Sequence, residues 1–192
     1  MTLNMDFLVN PKALESRVKE AIEPIFEELE SKYGPRDIKL RLADVSFVSM
    51  DSTVWCPERD LSIYIDKRFL ANEQWVGVLA HEAVHCLGHV KKLEMTYLEE
   101  GVAESFSTDY FSRRFPGETL PPSDPRYRIA AGYVKELESR CGSIVKTVRR
   151  AQPALSKLTK QDLLGLCPTI SESLADVLTA RFYNPSECWQ PD

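Results

Sequence analysis

The chain has 192 residues, 43% hydrophobic and 28% charged, a composition that suits a globular protein and excludes wholesale disorder. Its formal net charge of −5 excludes a nucleic-acid coat and a strongly cationic membrane binder. No run approaches the roughly 18–20 apolar residues of a membrane helix, and residues 1–6 lack the basic flank and apolar core of a secretory signal, so a cytoplasmic protein is expected.

Residues 11–33 place Leu14, Val18, Ile22, Ile25, Phe26 and Leu29 near helical period, and Gly34-Pro35 ends the pattern. An amphipathic helix with a bend at Pro24 is expected. Two strand-like runs follow, 38–50 and 61–66, separated by a polar segment containing Pro57. The second alternates Leu61, Ile63 and Ile65 with Ser62, Tyr64 and Asp66, which suits the edge of a sheet. Asn72 is placed to start a buried, mostly apolar helix running to between Gly88 and Lys92. A further helix opens at Thr96, where Thr96 and Glu99 have capping-box spacing, and runs to about Arg114.

Pro116, Pro121, Pro122 and Pro125 mark a loop over 116–125. Beyond it, 126–150 reads as a helix broken near Gly142, and two short helices follow, with Thr159 and Thr169 as caps. Residues 1–125 carry a net −8 and residues 126–181 a net +5, so an acidic body precedes a basic helical tail. The expected class is α+β, with a core over 1–115, the proline-rich loop over 116–125, and a helical region over 126–192 packed on the core. Cys56, Cys86, Cys141, Cys167 and Cys188 are scattered without CxxC spacing, which suits reduced thiols better than a disulfide scaffold.

All three histidines lie between positions 81 and 89, and two of them form His81-Glu82-Ala83-Val84-His85. On a helix, side chains at i and i+4 share a face about 6 Å apart along the axis, close enough for two imidazoles to reach one zinc ion. Glu82 stands one position beyond the first ligand, beside the metal, where it can take a proton from the attacking water.

A catalytic zinc requires a third protein ligand and an open position. His89 lies eight residues from His81, about 12 Å of helix rise, too far to join it unless the chain swings back. The spacing H-E-x-x-H-x-x-G-x-x-H fails at Lys91, which disfavours a metzincin. Glu100 and Glu104, again i and i+4, are better candidates, because the short connection over 88–95 favours a helical hairpin that returns them to the level of His81 and His85.

With these residues in place, the chain resembles the gluzincin metallopeptidases, the clan of thermolysin and the membrane alanyl aminopeptidases. Their third ligand is a Glu on the helix after H-E-x-x-H, often within N-E-G-x-A-E; here the segment is Leu98-Glu99-Glu100-Gly101-Val102-Ala103-Glu104, with Glu99 in place of the Asn. The resemblance covers residues 61–106 and is strongest to the minimal gluzincins. It implies a zincin-like core, Zn2+ held by His81, His85 and Glu100, Glu82 as general base, and Glu104 as the acid that orients a ligating imidazole. It also implies that strand 61–66 receives extended peptide along its edge. The expected partner is thus a peptide or protein substrate rather than nucleic acid or a membrane.

Thermolysin-like enzymes add a downstream His for the transition state, and no histidine follows His89 here. A Tyr or Arg must take that part, among Tyr64, Tyr97, Tyr110, Tyr127, Tyr133 and Arg126, with Tyr127 or Tyr133 favoured because their helix can fold over the site. Two other readings accompany the peptidase. Residues 159–181 resemble a helix-turn-helix, pointing to a metallopeptidase-like regulator, although the second helix carries a single cation, Arg181. Residues 183–192 hold Cys188 and end in Asp192, either able to block a zinc site in a latent protein.

Overall fold

Leu61, Ile63 and Ile65 are each essentially inaccessible, while the residues between them are half-buried, so one face of their strand packs inward and the other stays near solvent. The computed structural model describes residues 11–56, 59–120 and 124–184. Its sheet contains β1 (Arg41–Val48), β2 (Thr53–Trp55) and β3 (Asp60–Asp66) in the order β1-β3-β2. β3 runs parallel to β1 and antiparallel to β2. The strand expected at the edge is therefore the middle one. Alternation reports which face is buried and is blind to how many neighbours flank a strand. The edges are β1 and β2, and the three residues of β2 are too few to show a period.

Helix α1 (Pro11–Tyr33) follows its predicted bounds, carries Pro24 within it, and buries Val18, Ile22, Ile25, Phe26, Leu29 and Tyr33. Helix α2 (Gln74–His85) begins where Asn72 Oδ1 accepts a hydrogen bond from the Gln74 amide at 2.9 Å. It is shorter than expected: the amides of Cys86 and Leu87 turn back to the carbonyls of Ala83 and Val84 in a tighter i→i−3 turn, and the helix stops directly after His85. Helix α3 (Tyr97–Arg114) lies against α2. Its predicted capping box is absent, because Thr96 makes no side-chain cap and Glu99 turns inward.

Helix α4 (Pro125–Cys141) and helix α5 (Ile144–Ala151) are separated at Gly142, where φ is 59°. The break falls where the sequence placed it, at a residue that adopts positive φ without a Cβ clash. α4 packs along α3 so closely that a Cβ on Gly101 would overlap the Ala130 carbonyl. Helices α6 (Lys160–Leu166) and α7 (Glu172–Thr179) follow. Thr159 and Asp162 form the predicted capping box, whereas α7 is capped by Ser171 instead of Thr169. The Thr169 hydroxyl turns instead toward the Cys141 and Cys167 sulfurs. α7, the candidate reading helix, packs on α3 and α4 and exposes Glu172 and Asp176, both paired with Lys160. Two exposed carboxylates oppose a phosphate backbone.

One side chain ties the end of α1, the end of α2 and the chain after α5 together. The Arg149 guanidinium is buried and donates to five carbonyls: Pro153, Tyr33, Gly34, Pro35 and Leu87, at 2.8–3.1 Å. Five N–H groups meet five acceptors, the full capacity of the group. Burial lowers its pKa to about 10.

The expectation of reduced thiols is corrected at one pair. Cys141 and Cys167, whose Cα atoms are 5.9 Å apart, are joined as a disulfide, while Cys56 and Cys86 are free. Sequence spacing did not show the pairing because Cys141 at the end of α4 and Cys167 just after α6 are 26 residues apart and meet only in the folded chain. Cys188 and Asp192 lie outside the described residues. Among the described residues, no helix is long and apolar enough to cross a membrane.

Candidate metal centre

α2 delivers His81 and His85 from one face, and α3 sets Glu100 opposite them. His81 Nε2 is 3.2 Å and His85 Nε2 3.7 Å from Glu100 Oε2. Ligand atoms of these three residues all lie within 4.8 Å of one another, so they can hold a metal ion. The other nitrogen of each ring faces a second carboxylate. His85 Nδ1 is 2.9 Å from Glu99 Oε1, and His81 Nδ1 is 3.7 Å from Glu104. This leaves both Nε2 atoms directed at one point, the arrangement in which an outer carboxylate fixes a ligating imidazole.

The donor set fits a cation. Glu100 is fully inaccessible, and its Oε1 has no hydrogen-bond partner. A buried carboxylate oxygen left unpaired is costly unless a positive charge meets it. Four carboxylates, Glu82, Glu99, Glu100 and Glu104, surround two imidazoles. Burial disfavours charge on His81, yet the hydrogen bond to Glu100 and the nearby Glu104 carboxylate raise its pKa to about 10. Burial acts against the charged His85 too, and Glu100 and Glu99 outweigh it in the same direction. Burial pushes the Glu100 carboxyl up, but the His85 and His81 charges hold it below its usual range. The surrounding carboxylates thus favour positive charge at this point.

Glu82 is buried beside the three and lines the same cavity. Burial raises its carboxyl pKa, partly offset by His81 and His85. A carboxyl poised upward is a better proton acceptor and donor near neutral pH. Tyr127 also lines the cavity, its ring 5.5 Å from that of His81. Tyr133 does not. It sits six residues further along α4, about 9 Å of rise, and packs on Tyr97 with ring centres 6.5 Å apart. His89 lies outside the ligand set, and burial together with His85 lowers its pKa to about 4.

Four residues at the site carry roles the sequence does not assign them. Glu99 has the spacing of a helix cap and is an imidazole partner. Tyr183 enters the cavity from the end of the described chain, held there by Tyr97 N–H to Ala180 O at 3.1 Å and Phe182 N–H to Met95 O at 2.9 Å. Its hydroxyl is 2.7 Å from that of Tyr127. Burial raises both phenols' pKa values, with the Glu100 charge adding to each, so both keep their protons. Ser52 and Thr53, before and within β2, form another wall. Only the Glu99 spacing, T-x-x-E one residue before the ligand, carried any local signal.

No family model matches the chain, and neither do curated proteins or solved structures. The site therefore stands on its geometry alone.

Proposed function

We propose that the protein is a zinc-dependent peptidase. The observation that carries this reading is the convergence of His81, His85 and Glu100 with Glu82 buried beside them. Two nitrogens, one carboxylate oxygen and an open side match the donor set of a catalytic zinc rather than a closed structural one. Bound there, zinc supplies Lewis-acid polarisation of a carbonyl.

The rest falls to the chain. Glu82 accepts the proton of the attacking water and returns it to the leaving amine, a shuttle that suits its raised pKa. Tyr127, protonated and facing the cavity, donates to the developing oxyanion. β2 is the free edge beside the cavity, and Thr53 lines both, which supports extended peptide pairing along β2 in place of β3. A quenched-fluorescence peptide library, assayed with the zinc-loaded full chain, tests the reading. Hydrolysis is expected, and Glu82→Gln is expected to retain zinc while losing at least about 100-fold in rate. A zinc-loaded chain that cleaves no peptide contradicts it.

Tyr183 favours a second state of the same enzyme. Its phenol stands in the cavity that a substrate needs, so the described conformation is a covered one.

A further inference from the structure

The serine at position 156 belongs to the short turn Leu155–Lys157, far in sequence from the metal-binding helices, yet it ends at the same cluster. The Ser156 amide donates to Glu99 Oε2 at 3.2 Å, and the Ser156 hydroxyl makes a short hydrogen bond to that same oxygen. The hydroxyl in turn accepts from the Thr96 amide at 2.9 Å. The Thr96 hydroxyl also lies 3.3 Å from the Ser156 hydroxyl and can donate to its second lone pair, while the Ser156 proton goes to the Glu99 carboxylate, the stronger acceptor. Oε2 is then saturated by two donors, and Oε1 is left to accept from His85 Nδ1–H at 2.9 Å. A ring that donates through Nδ1 presents a bare lone pair at Nε2, the atom facing Glu100. Thr96, Ser156, Glu99 and His85 are each at most 4% exposed, so water does not compete for any link.

The turn itself is fixed from two directions. Arg149 holds the Pro153 carbonyl together with the Leu87 carbonyl just past α2, and Gly88 admits that same stretch because a Cβ there would overlap the Pro153 carbonyl. A chain of buried contacts thus runs from the helical C-terminal region to a metal-facing imidazole.

We propose that Ser156 is a positioning residue of the metal site, acting through Glu99 to set the tautomer and orientation of His85, and that the C-terminal region is part of the metal site's architecture. This rests on the metal reading above, and it assigns that region a task beyond covering α3.

The test is a double-mutant cycle in the full chain, reading zinc affinity by chelator competition and the visible spectrum of the cobalt-substituted protein. Ser156→Ala and Glu99→Gln are each expected to weaken zinc about 10- to 100-fold and to shift the cobalt bands. Combined, they are expected to cost little more than either alone, since both interrupt one path. Ser156→Thr, which keeps the hydroxyl, is expected to stay near the unsubstituted affinity. Ser156→Cys, nearly isosteric and a poor donor, gives the same reading if the alanine variant does not fold. Unchanged affinity and spectrum in Ser156→Ala or Ser156→Cys, or fully additive losses, overturn the proposal. Failure of the unsubstituted chain to bind zinc at all overturns the metal reading instead, so the two failures are distinct.

Discussion

The hydroxyls of Tyr127 and Tyr183 lie 2.7 Å apart above the His81–His85–Glu100 cluster, joining α4 to the last described residues of the chain. Tyr127 belongs to a helix locked onto α3 by the close approach at Gly101, whereas Tyr183 belongs to a segment that two backbone hydrogen bonds fasten to residues 95 and 97, with Arg181 bonded to the Glu94 carbonyl and the Lys92 ammonium over the Tyr183 ring. The two phenols therefore rest on unequal supports: one on a helix, the other on the residues beyond α7.

Truncation after Phe182 removes the phenol that stands over the cluster. Peptide hydrolysis by the truncated chain is expected to rise several-fold, with zinc content unchanged. A fall in kcat/KM on truncation shows instead that Tyr183 serves the substrate.

Tyr127→Phe keeps the ring against His81 and removes the donor. A loss of roughly 100-fold in kcat, with zinc affinity within a few-fold, is expected for a group that stabilises charge only in the transition state. An equal rise in KM with kcat untouched would place Tyr127 in ground-state binding.

Arg149→Met leaves five carbonyls without their common donor. Urea unfolding of the zinc-free protein is expected to show a loss of about 3–5 kcal/mol, and Arg149→Lys is expected to recover only part, since an ammonium has three donors and no fork. A loss below about 1 kcal/mol contradicts the keystone role.

His89 is held neutral by burial and the neighbouring His85, with a pKa near 4 and its Nδ1 unpaired. The unfolded chain takes up a proton near pH 6.5 and the folded one only near 4, so this residue costs stability as pH falls through that window and has no effect above it. The cost reaches on the order of 3 kcal/mol at pH 4. Acid unfolding of His89→Gln is expected to lack this component when compared with the unsubstituted protein. Parallel stability–pH curves between 4 and 6.5 refute it.

The helices that carry the site were readable because their information is local. The His81–His85 pair, the Glu100 position, the break at Gly142 and the Thr159–Asp162 cap each follow from residues within a turn or two of one another. What escaped depends on distant partners. Glu99 has the spacing of a helix cap, and only the approach of Ser156 and His85 diverts it inward. β2 is invisible to periodicity at three residues, and without it β3 reads as an edge. Tyr183 and Tyr133 look alike in sequence, and the register of α4 and the path of residues 180–183 decide that one reaches the cavity and the other does not.

X-ray absorption at the zinc edge of the zinc-loaded full chain tests the central claim most directly. One zinc per chain is expected, with two imidazole nitrogens and carboxylate oxygen at about 2.0–2.2 Å, and no sulfur. A zinc shell containing thiolate, or a chain that retains no zinc, would contradict it.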